Sequence, residues 1–577
     1  MKISLNQINT VTGDIKNNYR KVLELTNKAL SNDADIIVFP ETALTGYCVG
    51  SLWDNIDFIF EQENCIKELI KFIPFNKALI IGYVSYHGTK PDGFPLLYNS
   101  VAVINKNKIQ RYDKQLLANA DHHEDRKYFK PGKKTKVFKL QLNNEIVTVG
   151  VPICEDAWYT NHFRNIPKEM VDMGAELLII PNQSYFYYGK DLIRQKLFST
   201  IAKQYNVPVL TLNSVGIGDI VKNIIIYDGG SMVFKKNGQK ISHFKKFEEQ
   251  SEIIDFSDIS TYQIYYEPKP KFEEIIDALC FEQKEMFRLL GIKKAQVHIS
   301  GGIDSIIVAV LCILSMDKEN CVFITNPTSL NSKSLKLVHK MMKTLKVDFY
   351  TDELDGIVNS FKIADKKAFG ETTLKNEGEI ETVFHAVGRT VQGLAATHRF
   401  GSGIVATGNH TEIVLGWCNF HDIGSIGVHS IIGDLTKLEL YQLSKVLNDK
   451  CYSIYGENVI PEELFNGKTL PAADLPDSKL DPFDYYIQSG LCAAYIRERK
   501  SKSQLIEDFK NKNLNLDFFP KDVYEKYTME QFTKEVEITM TRSRISVFKA
   551  AQHAPIVILS PRSRGFSNRE TIINKYV

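Results

Sequence analysis

The sequence predicts an α/β protein of two units in series, each built on buried sheets, with a helical segment after them. Three observations predict it. Short apolar runs alternate with amphipathic helical stretches through both halves. That pattern breaks around Asp255–Lys271 into DFSDISTYQIYYEPKPK, with Pro268 and Pro270 and little periodicity. The chain has 577 residues, more than one simple core organises at roughly 100–200 residues per domain.

In the first half the apolar runs are Asp35–Pro40, Ala78–Tyr83, Asn99–Ile104, Ile146–Ile153, Leu177–Pro181 and Val207–Leu212. They are continuous rather than alternating, as expected of strands covered on both faces. Tyr19, Val22, Leu23, Leu25, Ala29 and Leu30 fall at helical spacing just ahead of the first run. The proline-bearing break reads as an interdomain linker. Beyond it come a helix from Phe272 to about Leu290, a strand at Ala295–Ile299, a Gly-rich turn, an apolar helix Ile306–Leu314 and a later strand Gly403–Ala406. The expected organisation is therefore 1–255, a linker 256–271, a second domain 272–480 and a helical extension 481–577. The extension ends in a basic tail with Arg562, Arg564 and Arg569, read by default as a solvated face, with an oligomer contact or part of the nucleotide site as the other readings.

Composition excludes several classes. Apolar residues make up 44% and charged residues 24%, the balance of a globular protein rather than a disordered one. Lys plus Arg number 71 against 69 for Asp plus Glu, which gives no electrostatic argument for nucleic acid. Nine cysteines without a C-x-x-C pair suggest a reduced compartment, not a disulfide or zinc framework. MKISLNQINT has no apolar targeting core, and no window approaches ~18 uninterrupted apolar residues. A soluble cytoplasmic protein that binds neither membrane nor nucleic acid is expected.

Two constellations carry chemistry. Glu41, Lys114 and Cys154 each follow a β-rich run, where open α/β sheets place functional groups. A thiol becomes a nucleophile only as thiolate. A glutamate can take its proton, and a lysine can stabilise the oxyanion formed on an attacked amide carbonyl. The second is VHISGGIDS, Val297–Ser305: strand, Gly-rich turn, helix start. Glycines admit phosphate close to the backbone, and N–H groups at the helix start bind it. Ser300 and Ser305 add hydroxyls, Gly301 and Gly302 the turn, and Asp304 a carboxylate for Mg²⁺. Two decoys are loop glycines instead. Gly467-Lys468-Thr469 has Glu462 where a phosphate loop needs glycine, and Gly401-Ser402-Gly403 runs into a strand rather than opening a helix.

FPETALTGY, YDKQLL and ICEDAW resemble the nitrilase superfamily, whose Glu-Lys-Cys triad hydrolyses amides through a covalent adduct. Asn182–Phe186 with Gly189-Lys190 and Arg194, and Tyr227–Ser231 (YDGGS), resemble segments of its glutaminase members. The family's additional acid falls in HHEDRKYF, on either Glu124 or Asp125. SGGIDS resembles the signature of ATP pyrophosphatases, which activate a carboxylate as an adenylate. Together they resemble the glutamine-dependent NAD⁺ synthetases over nearly the whole chain. Further matches are Ala406–Glu412 (ATGNHTE), Gly433–Lys437 (GDLTK), Leu470–Leu475 (LPAADL) and the terminal AQHAPIVILSPRSRGFSNRET.

The resemblance implies a nitrilase-like α-β-β-α sandwich followed by an adenine-nucleotide α-hydrolase-like, Rossmann-like parallel sheet. It implies Glu41, Lys114 and Cys154 as catalytic residues, with Glu155, Ser184 and Lys190 holding glutamine. ATP would be held by Ser300, Gly301, Gly302, Asp304, Ser305, Thr407 and Lys437, with Mg²⁺ on Asp304 and Glu412. Arg389, Asp422 and Asp434 would serve the carboxylate acceptor, deamido-NAD⁺. A homo-oligomer and an ammonia tunnel are implied too. The departures cluster at the acceptor: Val383–Arg389 (VFHAVGR) keeps Arg389 but puts Val387 for the family's first arginine, His410 replaces a lysine, and Ala472 a hydroxyl residue. A synthetase of the same architecture acting on another carboxylate is therefore the alternative. A stand-alone amidase and a non-catalytic nucleotide-binding module are the more distant ones. His421 and His429 lack the Cys/His cluster of a metal site and read as loop or core residues.

Overall fold

The computed structural model describes residues 1–119, 122–143, 145–220, 223–256, 268–327, 332–370, 377–417, 422–465 and 483–564. Most of the linker, the LPAADL segment, Gly467-Lys468-Thr469, His421 and the tail from 565, including Arg569, lie outside the described residues. The chain divides into two compact units: residues 1–220 with 225–269, and residues 221–224 with 270–577.

The first unit holds two six-stranded sheets. One runs Gln250–Asp255, Lys2–Gln7, Ile36–Val38, Ala78–Thr89, Pro95–Asn105, Lys108–Asp113. The other runs Lys240–His243, Met232–Phe234, Val209–Asn213, Leu177–Asn182, Glu145–Gly150, Val137–Leu142. Leu5, Val38 and Ile80 of the first sheet share a buried cluster with Val149, Leu178 and Leu210 of the second, so the sheets face each other. Helix Ile15–Ser31, started by Asp14 capping Asn17 N, lays Val22 and Ala29 against Ile37, Leu79 and Ile81 on the outer side of the first sheet. Phe198, Ile201 and Ala202 of helix Lys190–Tyr205 pack with the second sheet. This is the α-β-β-α layering that the resemblance implies.

All the apolar runs of the first half form or enter strands. The differences are physical. Ile146–Ile153 is strand only to Gly150, because Val151–Ile153 leave the ladder to reach Cys154. Lys108–Asp113 is a polar edge strand with a mostly exposed face, and so carries no apolar run.

The second unit is a parallel sheet in the order Ile556–Val557, His429–Ser430, Ser402–Ala406, Lys294–His298, Cys321–Thr325, Tyr350–Thr351. Asn223 and Ile224 pair in parallel with Ile556 and Val557. Helix Ile303–Met316 is apolar almost all round and correspondingly buried almost all round. Residues 483–564 are mainly helical, around Phe509 and Phe532 stacked at 4.1 Å. The extension is not helical alone, however: Ile556–Val557 adds a strand to the sheet. Nor is its basic end a solvated face throughout. Arg564 is buried and donates from Nη1 to Ser543 Oγ at 3.0 Å and from Nη2 to Ser543 O at 2.7 Å. No described helix is long and apolar enough to cross a membrane.

Candidate active sites

In the first unit Glu41 follows the strand Ile36–Val38, on a turn clasped to the neighbouring strand. Phe39 N bonds Ile80 O at 2.9 Å, Gly82 N bonds Pro40 O at 3.1 Å, and Ala43 N bonds Gly82 O at 3.0 Å. Gly82 permits this approach, since a Cβ there would stand 2.5 Å from Glu41 Cα and from Pro40 O. Lys114 N bonds Asn99 O at 2.8 Å as the chain leaves the edge strand. Cys154 opens a short 3₁₀ turn, Cys154–Ala157, with φ of +44°, a left-handed backbone that is strained for a side chain bearing Cβ.

These segments bring four buried polar groups together. Lys114 Nζ lies 2.8 Å from Glu41 Oε1 and 2.8 Å from Asp125 Oδ2. Glu41 Oε1 also accepts from Asn99 Nδ2 at 2.7 Å, and Oε2 from Gln183 N at 2.9 Å. Asp125 accepts from Tyr47 OH at 2.7 Å and from Ala118 N at 3.0 Å. Glu124 instead pairs with the exposed Lys127, so of the two candidates for the additional acid it is Asp125 that faces Lys114. Burial alone pushes the Lys114 ammonium down, but Asp125 and Glu41 outweigh it and hold the group well above its ordinary range. Burial, reinforced by Glu41, raises the Cys154 thiol well above its usual value, with Lys114 opposing. Cys154 therefore rests as a thiol at neutral pH, and a nucleophilic role would require a base.

Of the proposed glutamine contacts, Glu155 Oε1 lies 2.8 Å from His162 Nε2. Lys190 Nζ stands 3.7 Å above the Tyr185 ring. Burial and Arg194 push Lys190 down to about 7, with Cys154 among the groups that oppose the shift. Ser184 N donates to Asn213 Oδ1 at 2.8 Å. Asn213 in turn reaches Asp228, which Arg194 and Lys246 hold as a buried ion group. Arg194 and Asp228 thus support the Ser184 loop from behind.

In the second unit the Gly-rich turn closes on itself. Gly301 has φ of +86°, Gly302 N donates to Ser300 Oγ at 3.2 Å, and Ser305 Oγ donates to Gly302 O at 2.9 Å. The helix starts at Ile303, so its first N–H groups and Asp304 share one end. Lys437 Nζ pairs with Asp304 Oδ2 and lies 3.4 Å from Glu412 Oε1. Asn409 Nδ2 holds Asp304 Oδ1 at 2.9 Å. Thr407 and Arg389 join through a chain of contacts: Thr407 N to Gly424 O at 3.0 Å, Gly424 N to Asp422 Oδ1 at 3.3 Å, and Arg389 Nη2 to Asp422 Oδ2 at 3.0 Å.

Asp434, expected to serve the acceptor, makes its hydrogen bonds apart from this chain of contacts. It is fully buried and accepts from Leu559 N, Ser560 N and Ser560 Oγ at 2.8, 2.8 and 2.7 Å. It anchors the end of the extension. Replacing it with alanine should cost about 2–4 kcal/mol of stability by orphaning those donors. Thermal unfolding should fall by several degrees while the KM for acceptor stays put; the reverse pattern would return Asp434 to the site. His410 is buried beside it, pushed down to about 3 by burial and Arg497, hence neutral. Arg497, rather than residue 410, supplies the positive charge against Asp434 and Glu439.

No group of three or more metal-ligating side chains occurs among the described residues. Asp304 and Glu412 offer hard oxygen donors of the kind that suits Mg²⁺ held largely by substrate phosphates.

Comparison with known proteins agrees with this layout. Residues 2–264 match the carbon-nitrogen hydrolase family and residues 275–536 the NAD synthase family. The chain is 27% identical over 524 residues to a glutamine-dependent NAD(+) synthetase of Synechocystis, covering 87% of this chain and 90% of that one. The enzyme of the same description from Thermotoga maritima is 27% identical over 547 residues, covering 85% and 89%. The fold matches a solved glutamine-dependent NAD+ synthetase from Acinetobacter baumannii at a TM-score of 0.71 and 24% identity, covering 99% and 98%. It matches another from Cytophaga hutchinsonii at 0.77 and 17%, covering 100% and 98%. An amide-hydrolysing domain followed by an NAD synthase domain defines a glutamine-hydrolysing carbon–nitrogen ligase. The chain belongs to the glutamine-dependent NAD(+) synthetase family.

Proposed function

We propose that the chain makes NAD⁺ from deamido-NAD⁺, ATP and glutamine, releasing glutamate, AMP and pyrophosphate. Cys154 is the nucleophile. As its sulfur attacks the glutamine amide carbon, Glu41 takes the thiol proton and Lys114 neutralises the developing oxyanion. Asp125 keeps Lys114 charged. The glutamate proton then passes to the departing ammonia, and water, deprotonated by Glu41, cleaves the thioester. Glu155, Ser184 and Lys190 hold the glutamine.

The ammonia serves the second unit. There the Ser300–Ser305 turn and Thr407 take the ATP phosphates, Lys437 stabilises negative charge, and Arg389 with Asp422 faces the acceptor. The acceptor carboxylate attacks the α-phosphorus, pyrophosphate leaves, and ammonia displaces AMP from the adenylate. Mg²⁺ on Asp304 and Glu412 would neutralise phosphate charge. The observation that carries the reading is the coexistence of a buried Cys154 beside the Lys114–Glu41 pair with a phosphate loop whose Asp304 pairs with Lys437. We further infer a homo-oligomer, an internal passage for ammonia and a cytoplasmic setting; the eight described cysteines, all free, fit a reducing compartment.

Supplying deamido-NAD⁺, ATP and glutamine should yield NAD⁺ and AMP in equal amounts. AMP formation with a different carboxylic acid, and none with deamido-NAD⁺, would instead favour the alternative suggested by Val387 and His410.

A further inference from the structure

One buried carboxylate ties the two halves of the thiol site together. Asp156 lies on the 3₁₀ turn that Cys154 opens and is fully buried. Its Oδ2 accepts from Ile153 N at 3.1 Å and from Tyr112 OH at 2.8 Å. Its Oδ1 accepts from Gln115 N at 3.0 Å and from Leu116 N at 2.8 Å. Ile153 immediately precedes the nucleophile, and Gln115 immediately follows the lysine. The same carboxylate therefore closes the turn that keeps Cys154 in its strained backbone and pins the segment carrying Lys114. Asn99 O and Gly132 N hold Lys114 on its other side, at 2.8 Å each.

We propose that Asp156 is the positioning residue that sets the Lys114 ammonium against the Cys154 sulfur for attack on the amide. The inference rests on the glutamine-hydrolysis reading above. Three of the four partners are backbone N–H groups that can only donate, and the Tyr112 hydroxyl donates as well when the carboxylate is ionised, so ionisation lets the oxygens accept all four bonds. Asparagine has the same shape but would turn an N–H₂ toward two of those donors, loosening one of the two segments. Rate enhancement by orientation is lost steeply with misplacement on the ångström scale. Substrate contacts made by other residues would survive, so the loss should fall on kcat rather than on KM.

The carboxylate also titrates within reach of experiment. Burial holds it up to about 6, against the opposing pull of the Leu116 and Ile153 N–H groups, Tyr112 and Lys114. The charged or titratable groups facing it are Tyr112, Lys114 and Arg164, the last paired with Glu169. Glutamine hydrolysis should therefore lose rate as pH falls through the region near 6, and ammonia-supported synthesis should lack that limb.

The test compares the full-length wild type, Asp156→Asn and Tyr112→Phe from about pH 5 to about pH 9. Asp156→Asn should lower kcat for glutamine hydrolysis about tenfold to a hundredfold, with KM within about threefold and ammonia-supported synthesis within about twofold. Tyr112→Phe removes one donor from the carboxylate and should move the acid limb upward by about half a pH unit. A wild-type kcat in Asp156→Asn, or an acid limb unmoved in Tyr112→Phe, overturns the proposal. If Asp156→Asn loses both activities through misfolding, the Tyr112→Phe profile decides alone. Wild-type enzyme that does not hydrolyse glutamine overturns the underlying reading instead, so the two failures are distinguishable.

Discussion

Cys154→Ala should abolish glutamine-supported synthesis, by at least about 10³-fold in kcat, while synthesis from ammonium salts stays within about twofold. The asymmetry follows from the placement of the two sites. In the proposed mechanism Cys154 acts only in glutamine hydrolysis, whereas adenylation rests on the Ser300–Ser305 turn, Lys437 and Asp304. The substitution removes one sulfur from a buried position and leaves the carboxylates, Lys114 and Asp156 in their hydrogen bonds. A modest local loosening is expected because Cys154 sits at φ +44°, but alanine tolerates that backbone about as well as cysteine does. Steady-state assays with each nitrogen source check it. Equal loss of both activities would contradict a division of labour between two sites, and equal retention would remove Cys154 from the chemistry.

Asp304→Asn should have the complementary effect. Synthesis from either nitrogen source should fall by about 10²-fold or more, while glutamine hydrolysis persists. Asp304 stands in the first turn of the helix Ile303–Met316, where its carboxylate pairs with Lys437 and accepts from Asn409. Burial alone would push Lys437 down; Asp304 and Glu412 together raise it above the ordinary lysine range. The neutral asparagine keeps the shape and the bond from Asn409 but removes one of the two anions that hold Lys437. It also removes half of the oxygen pair suited to Mg²⁺. Assays of pyrophosphate release and of glutamate formation, run on the same preparation, separate the two effects. Unimpaired pyrophosphate release would contradict the proposed role of Asp304.

Much of this was legible in the amino-acid sequence because the chemistry-bearing residues sit in short, local strings. SGGIDS is a turn whose geometry is decided within six consecutive residues, and the structure closes it with its own serines. Glu41 follows the strand Ile36–Val38, whose continuous apolar run is buried throughout, and Cys154 follows a run that is strand only to Gly150 and exposed at Ile146. The less legible features depend on pairing across the sheet. Asn99 meets Glu41 and Lys114 only because its strand lies between theirs. The choice between Glu124 and Asp125 turns on which side of a short helix faces inward, which two adjacent acids do not reveal. Asp156 stands in the quoted ICEDAW string, yet its partners Tyr112, Gln115 and Leu116 are some 40 residues away. The anchoring of Asp434 was illegible for the same reason, because its donors come from Leu559 and Ser560, near the far end of the chain. So was that of Arg564, whose guanidinium is buried against Ser543 only once the fold has formed.

The grouped departures have a partial physical account. His410 is neutral and buried, and Arg497 carries the charge on that side of Asp434 and Glu439. Arg389 is retained and paired with Asp422. Nothing in the structure explains Val387.

The central claim is that nitrogen released at Cys154 becomes the amide made in the second unit. Supplying glutamine labelled with ¹⁵N at the side-chain amide, together with deamido-NAD⁺ and ATP, tests it most directly by mass spectrometry of the product. The account predicts NAD⁺ heavier by one mass unit, formed in step with AMP and glutamate, and no labelled product from Cys154→Ala. Unlabelled NAD⁺, or glutamate formed without any NAD⁺, would contradict it.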